Sequence, residues 1–288
     1  MNVTLIEVPY DSGRRGERMG RGPGRLLELG AAERARAAAG GSVDTAQVAC
    51  SLAFPTEATC AFDLAAQLSV QVQQARSRGA LPLVLAGNCM SSVGSVAGLA
   101  DVRRLGVVWL DAHGDLNTPD TSPEGFLDGM AAAAVTGRCW QGPAAHVPGY
   151  RPVPDTRLLH VGARALDPAE TALFAAGSIA RIDGATFAEQ GAAALAGPLE
   201  RLAAEVDAVY LHLDLDVHDA DAIRVNPYAE PGGPGPAQVR EAVAAVACRV
   251  PIAVAALTAY APEYDVDGTA GAAALDLLES VAAAAAGR

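Results

Sequence analysis

Short, almost continuous apolar runs alternate along the chain with longer stretches whose apolar positions recur every three or four residues. The first pattern marks strands buried on both faces, the second helices with one face on a core. Met1 to Pro9 reads as a first strand, since no basic residue precedes its apolar positions as a leader peptide requires. Ser42 to Val48, Leu81 to Leu85, Leu105 to Leu110, Thr156 to Val161, Ser178 to Ile182, Val209 to Leu213 and Ile252 to Leu257 read as further strands. Helices are predicted over Arg25 to Ala39, Ala61 to Arg76 (Leu64, Leu68 and Val72 on one stripe), Val93 to Ala100, Met130 to Thr136 and Asp167 to Phe174. Three more are predicted over Ala192 to Ala204, Ala237 to Ala247 and Thr269 to Ala285. Asp11 to Gly24, rich in Gly and Arg, reads as a loop, as do Asn117 to Asp128, Gly137 to Asp155 and Asp219 to Pro236. No linker interrupts the alternation. It predicts one α/β domain over 1–288, three layers deep, with a mainly parallel sheet between helices.

Composition narrows the function. Half of the chain is apolar (51%), enough for a sizeable core, and the abundance of Ala and Gly predicts close helix packing. A formal net charge of −12 argues against a nucleic-acid partner, which needs a basic face. No charge-free apolar run approaches the roughly 18 residues of a membrane span, the nearest being Ser280 to Gly287, so no membrane partner is expected. The five cysteines are scattered without a CxxC pair, which suits a reduced, cytoplasmic setting.

The chemistry gathers where two apolar runs stop. Leu105 to Leu110 is followed by Asp111-Ala112-His113-Gly114-Asp115-Leu116-Asn117, and Val209 to Leu213 by Asp214-Leu215-Asp216-Val217-His218-Asp219. If the chain stays extended, residues two apart point the same way, so each strand end would converge its carboxylates, the first adding an imidazole. Clustered carboxylates repel and are costly to bury unpaired. Divalent cations resolve that cost, and carboxylate with imidazole suits Mn, Zn or Fe better than Ca or Mg. Polar residues at the carboxyl ends of parallel strands are also where sites form in such folds.

These residues carry a resemblance. With Gly22-Pro23, Leu85 to Gly94, Thr118-Pro119, Ser122-Pro123 and Gly129-Met130, the Asp-Ala-His-x-Asp-x-Asn-Thr-Pro run and the later Asp-x-Asp resemble the arginase/agmatinase (ureohydrolase) family across nearly the whole length. The resemblance implies two Mn(II) ions, with Zn or Fe as alternatives, bridged by a hydroxide that attacks a guanidinium or amidine carbon. It implies that Asp111 and Asp214 bridge both ions, that Asp115 binds one, and that His113 and Asp216 bind the other. It implies a homo-oligomer, trimer or hexamer.

Several positions depart from the family pattern. Its remaining ligand is a His in Gly-Gly-Asp-His-Ser, where this chain has Gly87-Asn88-Cys89-Met90, so Cys89 takes the metal position. As a thiolate it would add a fifth negative charge to four carboxylates, against four positive charges on two divalent metals. The metal should then be a weaker Lewis acid, better matched to a less basic N-hydroxyguanidine. A family branch with this Cys resembles the N-hydroxyarginine hydrolase of D-cycloserine biosynthesis. The family's proton-shuttling His is replaced by Asp128, Phe126 stands for an Asn, and Glu124 for a small polar residue. No acid falls at the expected guanidinium-binding place in Thr258 to Pro262. Asn117 and Asp167 match residues that hold a substrate's amino-acid end. The catalytic candidates are thus Asp128 and Asp216, and the metal candidates Cys89, Asp111, His113, Asp115, Asp214 and Asp216. Substrate-binding candidates are Asn117, Glu124, Phe126 and Asp167.

Plainer readings stand beside these. Cys89 reads also as an ordinary buried thiol, Asp128 and Glu124 as loop acids, and Asp167 before Pro168 as a helix N-cap. Asp219 is expected to bond locally. His212 is expected to alternate away from the aspartates as a satisfied neighbour, while His218 carries no role and His146 and His160 are structural or exposed. The expected activity is hydrolysis of a guanidino or N-hydroxyguanidino C–N bond, with N-hydroxy-L-arginine giving ornithine and hydroxyurea as the leading case. The alternatives are arginine, agmatine or a specialised-metabolite intermediate, and a degenerate homologue that binds without turnover.

Overall fold

The computed structural model describes residues 1–287. Its strands are β1 (Asn2–Val8), β2 (Tyr10–Asp11), β3 (Arg14–Arg15), β4 (Val43–Gln47), β5 (Ala80–Ala86), β6 (Leu105–Leu110), β7 (Leu158–Ala163), β8 (Ala180–Asp183), β9 (Ala208–Asp214) and β10 (Ile252–Thr258). Its α-helices are α1 (Gly22–Glu28), α2 (Ala31–Ala39), α3 (Glu57–Ser77), α4 (Ser91–Ala97), α5 (Ala131–Val135), α6 (Gln141–Ala144), α7 (Pro168–Ala175), α8 (Gly184–Gln190), α9 (Ala196–Glu205), α10 (Pro236–Arg249) and α11 (Thr269–Ala286). Eight strands form one parallel sheet in the order β4-β1-β5-β10-β9-β6-β7-β8, while β2 and β3 make a small hairpin beside it.

The sheet divides the core in two, which is the expected three-layer arrangement. Leu5, Leu83, Leu110 and Leu213 pack on one side with α2, α9, α10 and α11, and Ile6, Val84, Trp109 and Tyr210 on the other with α3, α4 and α5. Small residues bring helices close. A Cβ on Gly94 would lie 2.6 Å from the Ala65 carbonyl oxygen, so α4 rests directly on the backbone of α3. Among the described residues, α11 alone is long and apolar enough to cross a membrane. It buries Leu275, Leu277 and Leu278 in the core, as a packed helix of a globular domain does.

Some expected boundaries differ. The helix expected from Arg25 to Ala39 is two, because Gly30 adopts φ +96°, which ends α1 and starts α2 at an angle. The stretch Asp11 to Gly24 is a hairpin, a 3-10 turn over Arg18–Arg21 and the start of α1, where Pro23 sits in the first turn. Helices α6 and α8 lie where the sequence pattern predicts none, being short and placed in Gly-rich or Ala-rich surroundings where periodicity is weak.

Consecutive strands β5 and β6 are separated in the sheet by β10 and β9. Loops leaving β5, β10, β9, β6 and β7 therefore open a crevice at the carboxyl edge, the usual place for a site in this architecture.

Candidate metal centre and cleft

The register of β6 against β9 pairs Trp109 with His212 and Leu110 with Leu213, so the next residues, Asp111 and Asp214, emerge side by side. Each aspartate then turns its own chain. Asp111 Oδ1 accepts the His113 backbone N–H at 2.7 Å, and Asp214 Oδ1 accepts that of Asp216 at 2.8 Å. These are side-chain-to-backbone turns of the kind Asp favours. The convergence thus does not come from extended backbone. Asp115 has left-handed φ +53°, and Asp216 lies in a 3-10 turn over Leu215–Val217. Alternation correctly grouped the residues, but tight turns bring them together.

Two sets of ligand atoms result, each within 4.8 Å of one another: Asp111, His113 and Asp216 in one, Cys89, Asp111, Asp115 and His212 in the other. Asp111 belongs to both. Asp214 lies against the second set, its Oδ2 accepting from Cys89 Sγ at 3.0 Å and from Thr258 Oγ1 at 3.3 Å. His212 does not alternate away as expected. It stands two residues before Asp214 on the same strand face, a parity visible in the sequence. It is also a satisfied neighbour: Nδ1 pairs with the Tyr210 hydroxyl at 2.7 Å, and the ring stacks on Trp109 with centroids 3.7 Å apart. Trp109 in turn donates its indole N–H to Asp111 Oδ2 at 3.0 Å.

Burial dominates the electrostatics. It holds Asp214 well above the usual carboxylate range, helped by Asp216 and Asp111, and Asp115 likewise, helped by Asp111 and Asp128. Asp111 is raised by burial and Asp216, with His113 opposing. Asp216 is the exception: burial would raise it, but His113, 3.4 Å away, holds it below the usual range. Burial, then Asp214, pushes the Cys89 thiol up. Asp115 Oδ2 is buried with no hydrogen-bond partner among the described residues. A buried unpaired carboxylate oxygen among further carboxylates is what divalent cations at the two sets would satisfy, so the residues present fit a binuclear metal.

Outside the metal sets a cavity of about 630 Å³ opens, and Asn117, Glu124, Phe126, Asp128 and Asp167 all line it. Asn117 Nδ2 donates to Asp167 Oδ2 at 2.7 Å. Asp167 precedes α7 as an N-cap does, yet its carboxylate faces the cavity, while its backbone N–H is answered by Glu170. Phe126 pairs with Tyr228, centroids 5.5 Å apart. Asp128 is buried, and burial pushes it up to about 7 against the hydrogen bonds that favour its charged form.

Sequence reasoning missed three supports. Glu170 is buried beneath the first metal loop, its oxygens accepting from the backbone N–H of Leu116 (2.9 Å) and of Asp167 (3.0 Å). The spacing Asp167-x-x-Glu170 was its available signal, as a capping box. Asn226 donates to Asp216 Oδ2 (3.2 Å) and the Ala259 carbonyl (3.0 Å), with nothing local to mark it. Arg164 donates to the carbonyls of Gly162, Asp216, Val217, His218, Glu230 and Pro231, binding the loop after β9 to β7. Asp219 bonds locally, as expected, to Asp221 and Gly232. His160 and His218 are buried, and His146 is exposed.

Comparison with known proteins agrees with this geometry. The family model described as "Arginase family" matches residues 1–283. The chain is 38% identical over 168 residues to an arginase of Brevibacillus brevis, covering 54% of each. It is 42% identical over 107 residues to one of Bacillus caldovelox, covering 36% of this chain and 35% of that one. These alignments thus span about a third to a half of the curated relatives. Solved structures match along almost the full length: Bacillus cereus arginase at TM-score 0.88, 27% identity and 98% of each chain, and Bacillus caldovelox arginase at 0.89, 26% and 97% of each.

Proposed function

The chain belongs to the arginase family, and from that premise we propose that it is a binuclear metal hydrolase cleaving a C–N bond of a guanidino or N-hydroxyguanidino group. The observation that carries the proposal is the pair of ligand sets sharing Asp111 on the floor of the cavity. Cys89, Asp115 and Asp214 would hold one cation, and His113, Asp216 and Asp214 the other, with Asp111 common to both. The ions, Mn(II) with Zn or Fe as alternatives, would supply the positive charge that makes a water acidic enough to attack carbon at neutral pH. Asp128 or Asp216 takes the proton released as the C–O bond forms and returns it to the nitrogen leaving as the C–N bond breaks. Asn117, Asp167, Glu124 and Phe126 orient the remainder of the substrate.

Cys89 supports an N-hydroxylated substrate: a more electron-rich metal suits a less basic, more electrophilic group. N-hydroxy-L-arginine, yielding ornithine and hydroxyurea, is the leading candidate. A second reading rests on the cavity wall. Among the described residues no arginine lines it, and the chain has no lysine, whereas Glu124, Asp128, Asp167 and Glu230 do line it. That favours a substrate whose far end is an ammonium without a carboxylate. A homo-oligomer in a reduced, cytoplasmic compartment completes the proposal.

The test is a panel of arginine, N-hydroxyarginine, agmatine and guanidinobutyrate with Mn(II), comparing wild type with Cys89→His. Wild type is expected to prefer N-hydroxylated guanidines, and the replacement to move preference towards plain ones. Full metal loading with neither urea nor hydroxyurea from any compound would instead mark a binding protein.

A further inference from the structure

We propose that Asn88 is the positioning residue for Asp128, and that the amino-terminal hairpin anchors both. The inference rests on the hydrolase reading above and adds a residue to it. Asp128 comes from a different loop than Cys89, yet the two are locked together. Asp128 Oδ2 accepts from Asn88 Nδ2 at 2.7 Å, and Asp128 Oδ1 from the Met90 backbone N–H at 2.9 Å. The two donors flank Cys89 in sequence, so one carboxylate spans the turn that presents the thiol. Asp128 and Cys89 both face the cavity, and Asp128 is buried.

The other end of Asn88 is equally determined. Its Oδ1 accepts the Ser12 backbone N–H at 2.8 Å. Ser12 sits in the β2–β3 turn at φ +48°, a conformation held from outside. Its hydroxyl donates to the buried Asp11 at 3.1 Å, which also takes an ion pair from Arg18 Nε at 2.9 Å. A donor at one end and a carboxylate at the other leave the Asn88 amide a single orientation. The relay therefore runs from the hairpin through Asn88 to Asp128. It fixes both carboxylate oxygens as acceptors and sets their direction relative to the reacting carbon. With Asp128 as the group that carries the proton from the attacking water to the departing amine, Asn88 determines where it stands while doing so.

The test uses the metal-loaded full chain and three variants: Asn88→Asp, Asp128→Asn and the two combined. Asn88→Asp sets carboxylate against carboxylate, so kcat should fall at least ~10-fold with KM and bound metal nearly unchanged, and the melting temperature should drop. Asp128→Asn should lower kcat by roughly 100-fold or more. In the combined variant the bonds re-form with reversed polarity. The new amide accepts from Met90 N–H and donates to the new carboxylate, which accepts from Ser12 N–H. The melting temperature should therefore recover while kcat does not, which a merely structural pair would not show. Wild-type kcat in Asn88→Asp, no recovery of melting temperature in the combined variant, or recovery of kcat with it would each overturn the inference alone. A metal-loaded wild type inert towards every guanidine would overturn the hydrolase reading and, with it, the purpose assigned to Asn88.

Discussion

A single methyl group at Gly114 tests how the metal loop is held. Gly114 lies between His113 and Asp115, and a Cβ there would sit 2.5 Å from Glu170 Oε1 and 2.7 Å from its Cδ. A carboxylate on a flexible stem normally swings aside. Glu170 lacks that freedom, being buried with each oxygen accepting one backbone N–H, from Leu116 at 2.9 Å and Asp167 at 3.0 Å. Gly114 is not among the positive-φ glycines, so alanine brings no backbone strain and the perturbation is steric. Making room breaks at least one charge-assisted bond, about 1.5–3 kcal/mol. In a chain of this size a loss of about 2 kcal/mol lowers the melting temperature by roughly 3 °C. Because the bond from the Leu116 N–H fixes the backbone between Asp115 and Asn117, metal affinity should fall as well, by ~10–100-fold. Calorimetry of metal-free and metal-saturated Gly114→Ala, with a metal titration, measures both. Adding Glu170→Ala removes the obstacle, so the double variant should melt no lower than Glu170→Ala alone. If Gly114→Ala matches wild type in both melting temperature and affinity, the carboxylate is not the support claimed for it.

Other outcomes follow from the same structure. Chelation should lower the melting temperature, and in the metal-free protein Asp115→Asn should raise it by about 1–3 kcal/mol in stability, since it neutralises an unpartnered buried oxygen; the same variant should lose metal-induced stabilisation. His160 is buried, and burial followed by Arg181 lowers its pKa to about 3, so it stays neutral in the fold while the unfolded chain takes up a proton below 6.5. Stability is therefore complete above pH 6.5 and lost as pH falls towards 3, by about 2 kcal/mol at pH 5; denaturant titrations at pH 7.5 and 5 should show that difference shrink in His160→Phe. Arg164→Lys cannot reach carbonyls on so many sides and should cost about 2–4 kcal/mol in urea unfolding, with weakened binding of metal at Asp216.

The parallel sheet was legible because its strands are continuous apolar runs, and the clustered candidate ligands because most of them follow two such runs directly. What escaped was set by contacts distant in sequence. Asn226 reaches Asp216 and Ala259 across a long loop, and Arg164 collects carbonyls from three segments. No local pattern encodes either. His212 is a different case: its parity with Asp214, two residues on, was readable in the sequence itself. The break at Gly30 was equally readable, since a glycine inside a helical stretch is a standing candidate for a left-handed stop.

The guanidinium of Arg164 gives the cleft one stationary jaw. The backbone of Asp216, His218, Glu230 and Pro231 hangs from the same planar cation, so that rim and the metal floor travel as one piece. The opposite rim, residues 118–125, is stitched mainly to itself, through Thr118–Thr121 and Ser122–Gly125 bonds, and pinned at its base where Asn117 N–H meets the Gly129 carbonyl. Local opening of the cleft is therefore expected at this second jaw, which carries Glu124, before the first jaw yields.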